Sequence, residues 1–269
     1  MSHFPLTVSL RSLETDPRYE QCIIELATSL LDNNPGNIEA IVLYGGLVRD
    51  AMIYSSWSDI DILVVFRDIS KRCLISLASL TYELQSRYHI CIDLSQISLE
   101  EITDPRLLSR FYNSEIINAL ALRNNVSYVI YGEVPRVSIP PEQERQAAVF
   151  YIFNTLNLFR RYLIEVIYNP QSPIESALQF QRIVRWTFSI VRASLRLFGI
   201  FSHPYQDSIP HVKRMFPELD VTLLLDLLSH RANIGAADIN DNIYLQVEDF
   251  LNNYVKLALR RYWDEELQI

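Results

Sequence analysis

Leu43-Tyr44-Gly45-Gly46, then twelve intervening residues, then Asp59-Ile60-Asp61-Ile62, is the stretch on which the reading of this chain turns. The chain has six glycines in 269 residues, and two of them stand side by side at the end of an apolar run, Ile41 to Tyr44. An apolar run closed by glycines predicts a buried strand that leads into a tight turn. A second apolar run opens with two carboxylates one residue apart. Residues i and i+2 of a strand share a face, so Asp59 and Asp61 are expected to project together. Two carboxylates held that close repel unless a cation lies between them. A divalent metal is the simplest such cation. Mg2+ prefers carboxylate oxygens together with substrate phosphates, and the glycine pair leaves room for a triphosphate to approach the backbone.

Outward from this stretch, the pattern predicts alternating helices and strands. Asp16-Pro17 followed by Tyr19, Cys22, Ile23, Leu26, Leu30 and Leu31 predicts a capped amphipathic helix, stopped by Asn33-Asn34-Pro35-Gly36. Strands are expected at Ile38 to Tyr44, Asp59 to Phe66, Tyr88 to Leu94 and Tyr128 to Tyr131, the third of them holding Asp93. Helices are expected at Leu47 to Ile53, Ser70 to Ser86 and Pro105 to Arg123. Three prolines in the eight residues from Val134 to Pro141 predict a linker. Beyond it, residues 142–169, 174–199, 219–231 and 240–265 are helix-patterned and nearly free of glycine, with breaks at Asn169-Pro170, His203-Pro204, Pro210 and Gly235. The expected fold is an α/β (α+β) domain with a mixed sheet over residues 1–137, followed by an all-helical domain over residues 138–269.

At 31.3 kDa, with 49% hydrophobic residues, the chain is long enough for two domains with sizeable cores. Its net charge of -8 and pI near 5.2 argue against a protein that binds nucleic acid through a general basic surface. A local basic groove stays open. Residues 1–137 carry 11 Lys and Arg against 17 Asp and Glu, and residues 138–269 carry 13 against 15, which makes the first part the expected metal-binding half. Only Lys71, Lys213 and Lys256 are lysines, so arginine, the residue suited to bidentate phosphate contact, supplies most of the positive charge. Cys22, Cys73 and Cys91 are too few and scattered for a disulfide framework or metal knuckle and are expected to be structural buried thiols. His3, His89, His203, His211 and His230 show no ligand spacing. No apolar run approaches the length of a membrane span and the first residues lack a signal-like pattern, so the expectation is a cytoplasmic protein with no membrane partner.

Gly45-Gly46 with Asp59-Ile60-Asp61-Ile62 resembles the motif of the nucleotidyltransferase superfamily with the DNA polymerase beta-like fold. The stretch from Leu43 to Arg49, followed by Ser58 to Asp61, is especially similar to small bacterial members such as the aminoglycoside nucleotidyltransferases and the minimal nucleotidyltransferases of toxin-antitoxin pairs. The resemblance covers roughly residues 20–133, and the helical second half looks like the C-terminal domain of the aminoglycoside enzymes. It implies that Asp59 and Asp61 hold a metal, Mg2+, and that Gly45 and Gly46 cradle the phosphates of an NTP, ATP above all. Asp93 falls where members carry a third carboxylate, which completes a second metal's shell and helps activate an attacking hydroxyl. Arg49 matches an arginine common in the small members and is placed to meet a triphosphate oxygen. Gly46 departs from the Ser that most small members have there, which leaves backbone N–H groups to hold the phosphate. The implied activity is transfer of an NMP group to a hydroxyl acceptor with release of pyrophosphate. An aminoglycoside-like small molecule, a partner toxin protein and an RNA end are all acceptors that fit. A protein that binds nucleotide without turnover is the alternative of a different class.

Each feature taken singly has a plainer reading. A Gly-Gly pair after a strand is a tight turn, an Asp-x-Asp at a strand start is a solvated edge, Asp93 is a strand end facing water, and Arg49 is a surface arginine on a short helix. A dehydrogenase-type reading of the glycines fails because no third glycine follows Gly46 at the required position. Arg182, Arg185, Arg192 and Arg196 recur on one side of the 174–199 helix and are expected either to line a groove or to form a solvated or ion-paired face. Glu133, after Tyr131-Gly132, is a candidate auxiliary base in a cleft between the two domains.

Overall fold

The structure, a computed structural model, describes residues 16–49, 58–104, 120, 127–135, 137, 140–168, 173–201, 205–232 and 241–266. The chain divides into two compact units, Met1–Ile139 and Pro140–Ile269.

The first unit begins with α1, Pro17–Asn33. The Asp16 carboxylate accepts the Arg18 N–H at 3.1 Å as N-cap, and Pro17 occupies the first turn, where its missing N–H costs nothing. The helix buries Tyr19, Cys22, Ile23, Leu26, Ala27 and Leu30 on one stripe. Asn34 closes it with both its backbone N–H and its side-chain amide, which donate to the Leu30 carbonyl. Then come β1, Ile38–Tyr44, the four-residue helix α2, Gly46–Arg49, and β2, Ile60–Phe66. The expected helix over Leu47 to Ile53 lies beyond Arg49 outside the described residues, and Asp59 immediately precedes its strand. Helix α3, Lys71–Tyr88, starts on Ser70, whose hydroxyl accepts the Cys73 N–H. It ends on His89, a left-handed residue with φ 55°.

Here the expectation of a strand over Tyr88 to Leu94 is corrected. The helix runs two residues past Ser86, and β3 spans Ile92–Ser98. Only Ile92 and Ile97 of this edge strand are buried and four of its seven residues are polar, so its apolar signal is weak and its start is blurred by Tyr88 and Ile90. A short helix that the apolar pattern does not predict follows, α4, Leu99–Thr103, fixed by a reciprocal capping box between Ser98 and Glu101. The expected helix over Pro105 to Arg123 lies outside the described residues apart from Leu120. Strand β4, Ser127–Gly132, completes the sheet.

The strand order is β3-β2-β1-β4, with β2 parallel to β3 and β1 antiparallel to both β2 and β4. This is the mixed sheet expected. Its two central strands are buried on both faces, which explains their near-continuous apolar sequences. One face, with Ile41, Leu43, Ile62, Val64 and Phe66, packs on α1 and α3. The other, with Ala40, Val42, Tyr44, Leu63, Val65 and Ile97, packs with Ile102 and Leu120. Cys22 and Cys73 are buried as expected, whereas Cys91 is exposed, because it lies just ahead of the edge strand.

Burial pushes the Cys22 thiol, with the nearby Glu25 charge adding to it, from an ordinary 9.0 up to about 12. Tyr19 rises from 10.0 to about 12, again chiefly through burial. Both groups ionise in the unfolded chain before they do in the folded one. Their contribution to stability is therefore fully present below pH 9 and is lost as pH climbs toward 12. The urea midpoint is expected to fall between about pH 9 and about pH 12, and a flat profile would contradict the burial of this stripe.

The second unit is all helical among its described residues: α5, Pro141–Tyr168; α6, Pro173–Arg196; α7, Tyr205–Met215; α8, Thr222–Ala232; and α9, Asp241–Glu266. Its core gathers Phe159, Phe180, Phe188, Phe216 and Tyr254, with the Tyr254 hydroxyl donating to the Val191 carbonyl at 3.2 Å. Arg160 on α5 and Glu248 on α9 form an ion pair at 2.9 Å. Pro210, read as a break, instead lies inside α7. Pro210 lies on the exposed side of the helix, and Ile209 and Val212 are on its buried side.

Candidate active site

Strand register builds the site. Tyr44, the last residue of β1, pairs with Asp61 on one side and Ser127 on the other. Asp61 in turn pairs with Asp93 across the parallel β2–β3 ladder. A single cross-strand row, Asp93, Asp61, Tyr44 and Ser127, therefore runs over the end of the sheet where β1 passes into Gly45. Neighbouring strands stand about 4.8 Å apart, so the two carboxylate-bearing residues start from adjacent backbones. Alternation puts Asp61 on the face of Leu63 and Val65, and Asp93 on the face of Ile97, which is the same face. On that face the Tyr44 hydroxyl and the Ser95 hydroxyl lie 3.2 Å apart. Asp59 and Asp61 are half-buried, and Asp93 is exposed.

Gly45 is required here for two separate reasons. Its φ of 75° lies in the left-handed region, which residues with a Cβ adopt only at a cost. A Cβ added to it would also lie 2.0 Å from Asp61 Oδ2 and 2.7 Å from Asp61 Cγ. The carboxylate thus occupies the space that the missing side chain leaves. Gly46 opens α2, and Arg49 ends it; the Arg49 side chain lies outside the described residues.

The backbone around Asp59 is held from both sides. The Tyr19 hydroxyl of α1 donates to the Ser58 carbonyl at 2.7 Å, and the Ile60 N–H donates to the Cys91 carbonyl at 2.8 Å. Burial, with the charges of Asp16 and then Asp59 adding to it, keeps the Tyr19 phenol protonated and able to donate well above neutral pH. Tyr19 reads in the sequence as nothing but a core residue, because its partner is 39 positions away. No local pattern carries such a signal.

Among the described residues, no three His, Cys, Asp or Glu side chains are gathered closely enough to hold a metal ion by themselves. Mg2+ is commonly held by one or two carboxylates, with water and substrate phosphates completing its shell. The donor set at the sheet end is hard oxygen, and the glycine turn beside Asp61 is free of side-chain bulk, so the residues present fit an Mg2+–nucleotide complex.

The expectation that the arginines on one side of α6 line a groove or form a solvated face is corrected for two of the four. Arg182 and Arg185 are exposed, whereas Arg192 and Arg196 are 4% and 5% exposed. The guanidinium of Arg192 lies over the Tyr205 ring at 4.8 Å, and that of Arg196 lies over Phe201 at 5.5 Å. Most of the last half of α6 is buried in the second unit, which removes those two from any open groove. Glu133 is exposed just after β4.

Residues 23–120 match the family described as a nucleotidyltransferase domain. Among solved structures, the chain is similar to spectinomycin adenyltransferase from Enterococcus faecialis, solved with ATP and spectinomycin. That similarity has a TM-score of 0.58 and 15% identity, and it covers 88% of this chain and 98% of that one. A second match, to a chain from the complex of the tri-AMPylated Shewanella oneidensis HEPN toxin with its MNT antitoxin, has a TM-score of 0.24. It covers 54% of this chain and 95% of that one at 18% identity, too low a structural similarity to argue from. No curated protein sequence matches the chain. The family match covers the glycine turn and all three carboxylates of the site, so that residues 23–120 of this chain are similar to a nucleotidyltransferase domain.

Proposed function

We propose that the chain transfers an NMP group from an Mg2+-bound NTP, ATP in the first instance, to a hydroxyl of an aminoglycoside-like small molecule, releasing pyrophosphate. The observation that carries this reading is the Asp61 carboxylate seated in the space beside Gly45, in register with Asp93. Asp59 and Asp61 would hold the metal, which when bound neutralises charge on the phosphates and the departing pyrophosphate. Gly45 and Gly46 give the phosphates access to backbone N–H groups, and Arg49 meets a triphosphate oxygen. Asp93, exposed one strand away, accepts the proton of the attacking hydroxyl as that oxygen approaches the α-phosphorus. The likeness of nearly the whole chain, helical unit included, to a spectinomycin adenyltransferase fold supports the acceptor class. No helix among the described residues is long and apolar enough to cross a membrane, and the NTP requirement suits a cytoplasmic setting.

The test is incubation with each of the four α-labelled NTPs and Mg2+ against aminoglycosides including spectinomycin, against tRNA, and against cell lysate. Labelled aminoglycoside is the expected product. Label entering only a lysate protein would move the acceptor class to a partner protein, and no transfer to any acceptor would overturn the reading.

A further inference from the structure

We propose that Tyr19 is a positioning residue for the metal-holding carboxylate Asp59, acting through the Ser58 carbonyl; this rests on the functional reading above. Asp59 lies immediately ahead of β2. A hydrogen bond holds the backbone on either side of it. On the C-terminal side the Ile60 N–H is tied to the Cys91 carbonyl of the β3 lead-in. On the N-terminal side the Tyr19 hydroxyl is tied to the Ser58 carbonyl at 2.7 Å.

Tyr19 is suited to that task. Its ring is 2% exposed within the α1 stripe and packed with the sheet core, so the hydroxyl is delivered by a rigid element rather than a loose side chain. A hydroxyl buried there without a partner would be costly, and the Ser58 carbonyl supplies that partner. The consequence for function is geometric. A carboxylate at the start of a strand swings with its peptide planes, and a ligand displaced by a fraction of an ångström loses affinity for a cation that tolerates little distortion. Residues 16–33 therefore form part of the site through one bond, although α1 carries none of the metal-holding carboxylates.

Tyr19→Phe removes the hydroxyl and keeps the ring. Tyr88→Phe is the control: Tyr88 likewise donates one hydrogen bond, to Glu25 at 2.7 Å, but its partner lies on α1 and not beside the carboxylates. Mn2+ binding in the presence of α,β-methylene-ATP is read by electron paramagnetic resonance, and the Mg2+ concentration for half-maximal transfer is read alongside it. Tyr19→Phe is expected to weaken Mn2+ binding about tenfold and to raise the Mg2+ requirement in parallel, as removal of an outer-shell partner does. Tyr88→Phe is expected to leave both unchanged. Parental Mn2+ affinity and Mg2+ dependence in Tyr19→Phe would overturn the proposal, as would an equal shift in both variants. Failure of the parent to bind Mn2+ with the analogue would overturn the functional reading itself, and this proposal with it.

Discussion

Replacing Asp61 with asparagine is expected to slow nucleotidyl transfer about a thousandfold or more while leaving the protein folded. The substitution keeps the shape of the side chain and removes its charge. A metal ion at such a site supplies several kcal/mol of transition-state stabilisation, and each 1.36 kcal/mol lost is tenfold in rate. Asp61 is half-buried near the start of β2, and the packing of the strand is carried by its buried apolar neighbours Ile60, Ile62 and Leu63, so asparagine in its place should leave the fold intact. Pyrophosphate release measures the first effect and a urea unfolding curve the second. Equal rates in variant and parent would refute the assignment.

Gly45→Ala is expected to slow transfer about a hundredfold by a different route. The new methyl would have to share space with Asp61 Oδ2, 2.0 Å away, and the carboxylate is the more mobile of the two groups. A displacement of about 1 Å at a catalytic group can cost two orders of magnitude. The left-handed φ adds a stability cost of about 1–2 kcal/mol, which has to be separated from the effect on chemistry. Gly36→Ala separates them. Gly36 has a φ of 72° and nothing within 4 Å of an added Cβ, so it bears the backbone strain without touching the carboxylate. Gly36→Ala should lose stability and keep its rate, while Gly45→Ala should lose both. If the two variants retained equal activity, the close approach of Gly45 to Asp61 would have no catalytic meaning.

Much of the first unit is legible in the sequence because its central strands have no polar face. Ile38 to Tyr44 and Ile60 to Phe66 are buried on both sides, and sequences of that kind declare themselves as continuous apolar runs. The glycine turn is legible for a related reason, since two adjacent glycines in so glycine-poor a chain mark a place where backbone must come close to something. What the turn approaches, the Asp61 carboxylate, is a tertiary fact. So is the row that sets Asp93 beside Asp61, because it depends on a parallel register between strands separated by the whole of α3. The edge strand β3 is misplaced by its apolar pattern because four of its seven residues are polar and because His89 takes the left-handed cap position usually given to glycine. Helix α4 has a readable signal, Ser98 followed three residues on by Glu101, that the apolar pattern overshadows. In the second unit the spacing of Arg182, Arg185, Arg192 and Arg196 is real, but spacing does not reveal which part of a helix is buried. Arg192 and Arg196 are buried against the aromatic rings of Tyr205 and Phe201.

The most direct measurement follows the two ends of the triphosphate separately. Parent protein is mixed with Mg2+, an accepted hydroxyl compound, and ATP labelled at either the α- or the γ-phosphorus. Label from the α-position is expected in the acceptor, and label from the γ-position in pyrophosphate, with both transfers lost in Asp61→Asn. γ-Label in the acceptor, or α-label transfer undiminished in the variant, would contradict nucleotidyl transfer at this pair of aspartates.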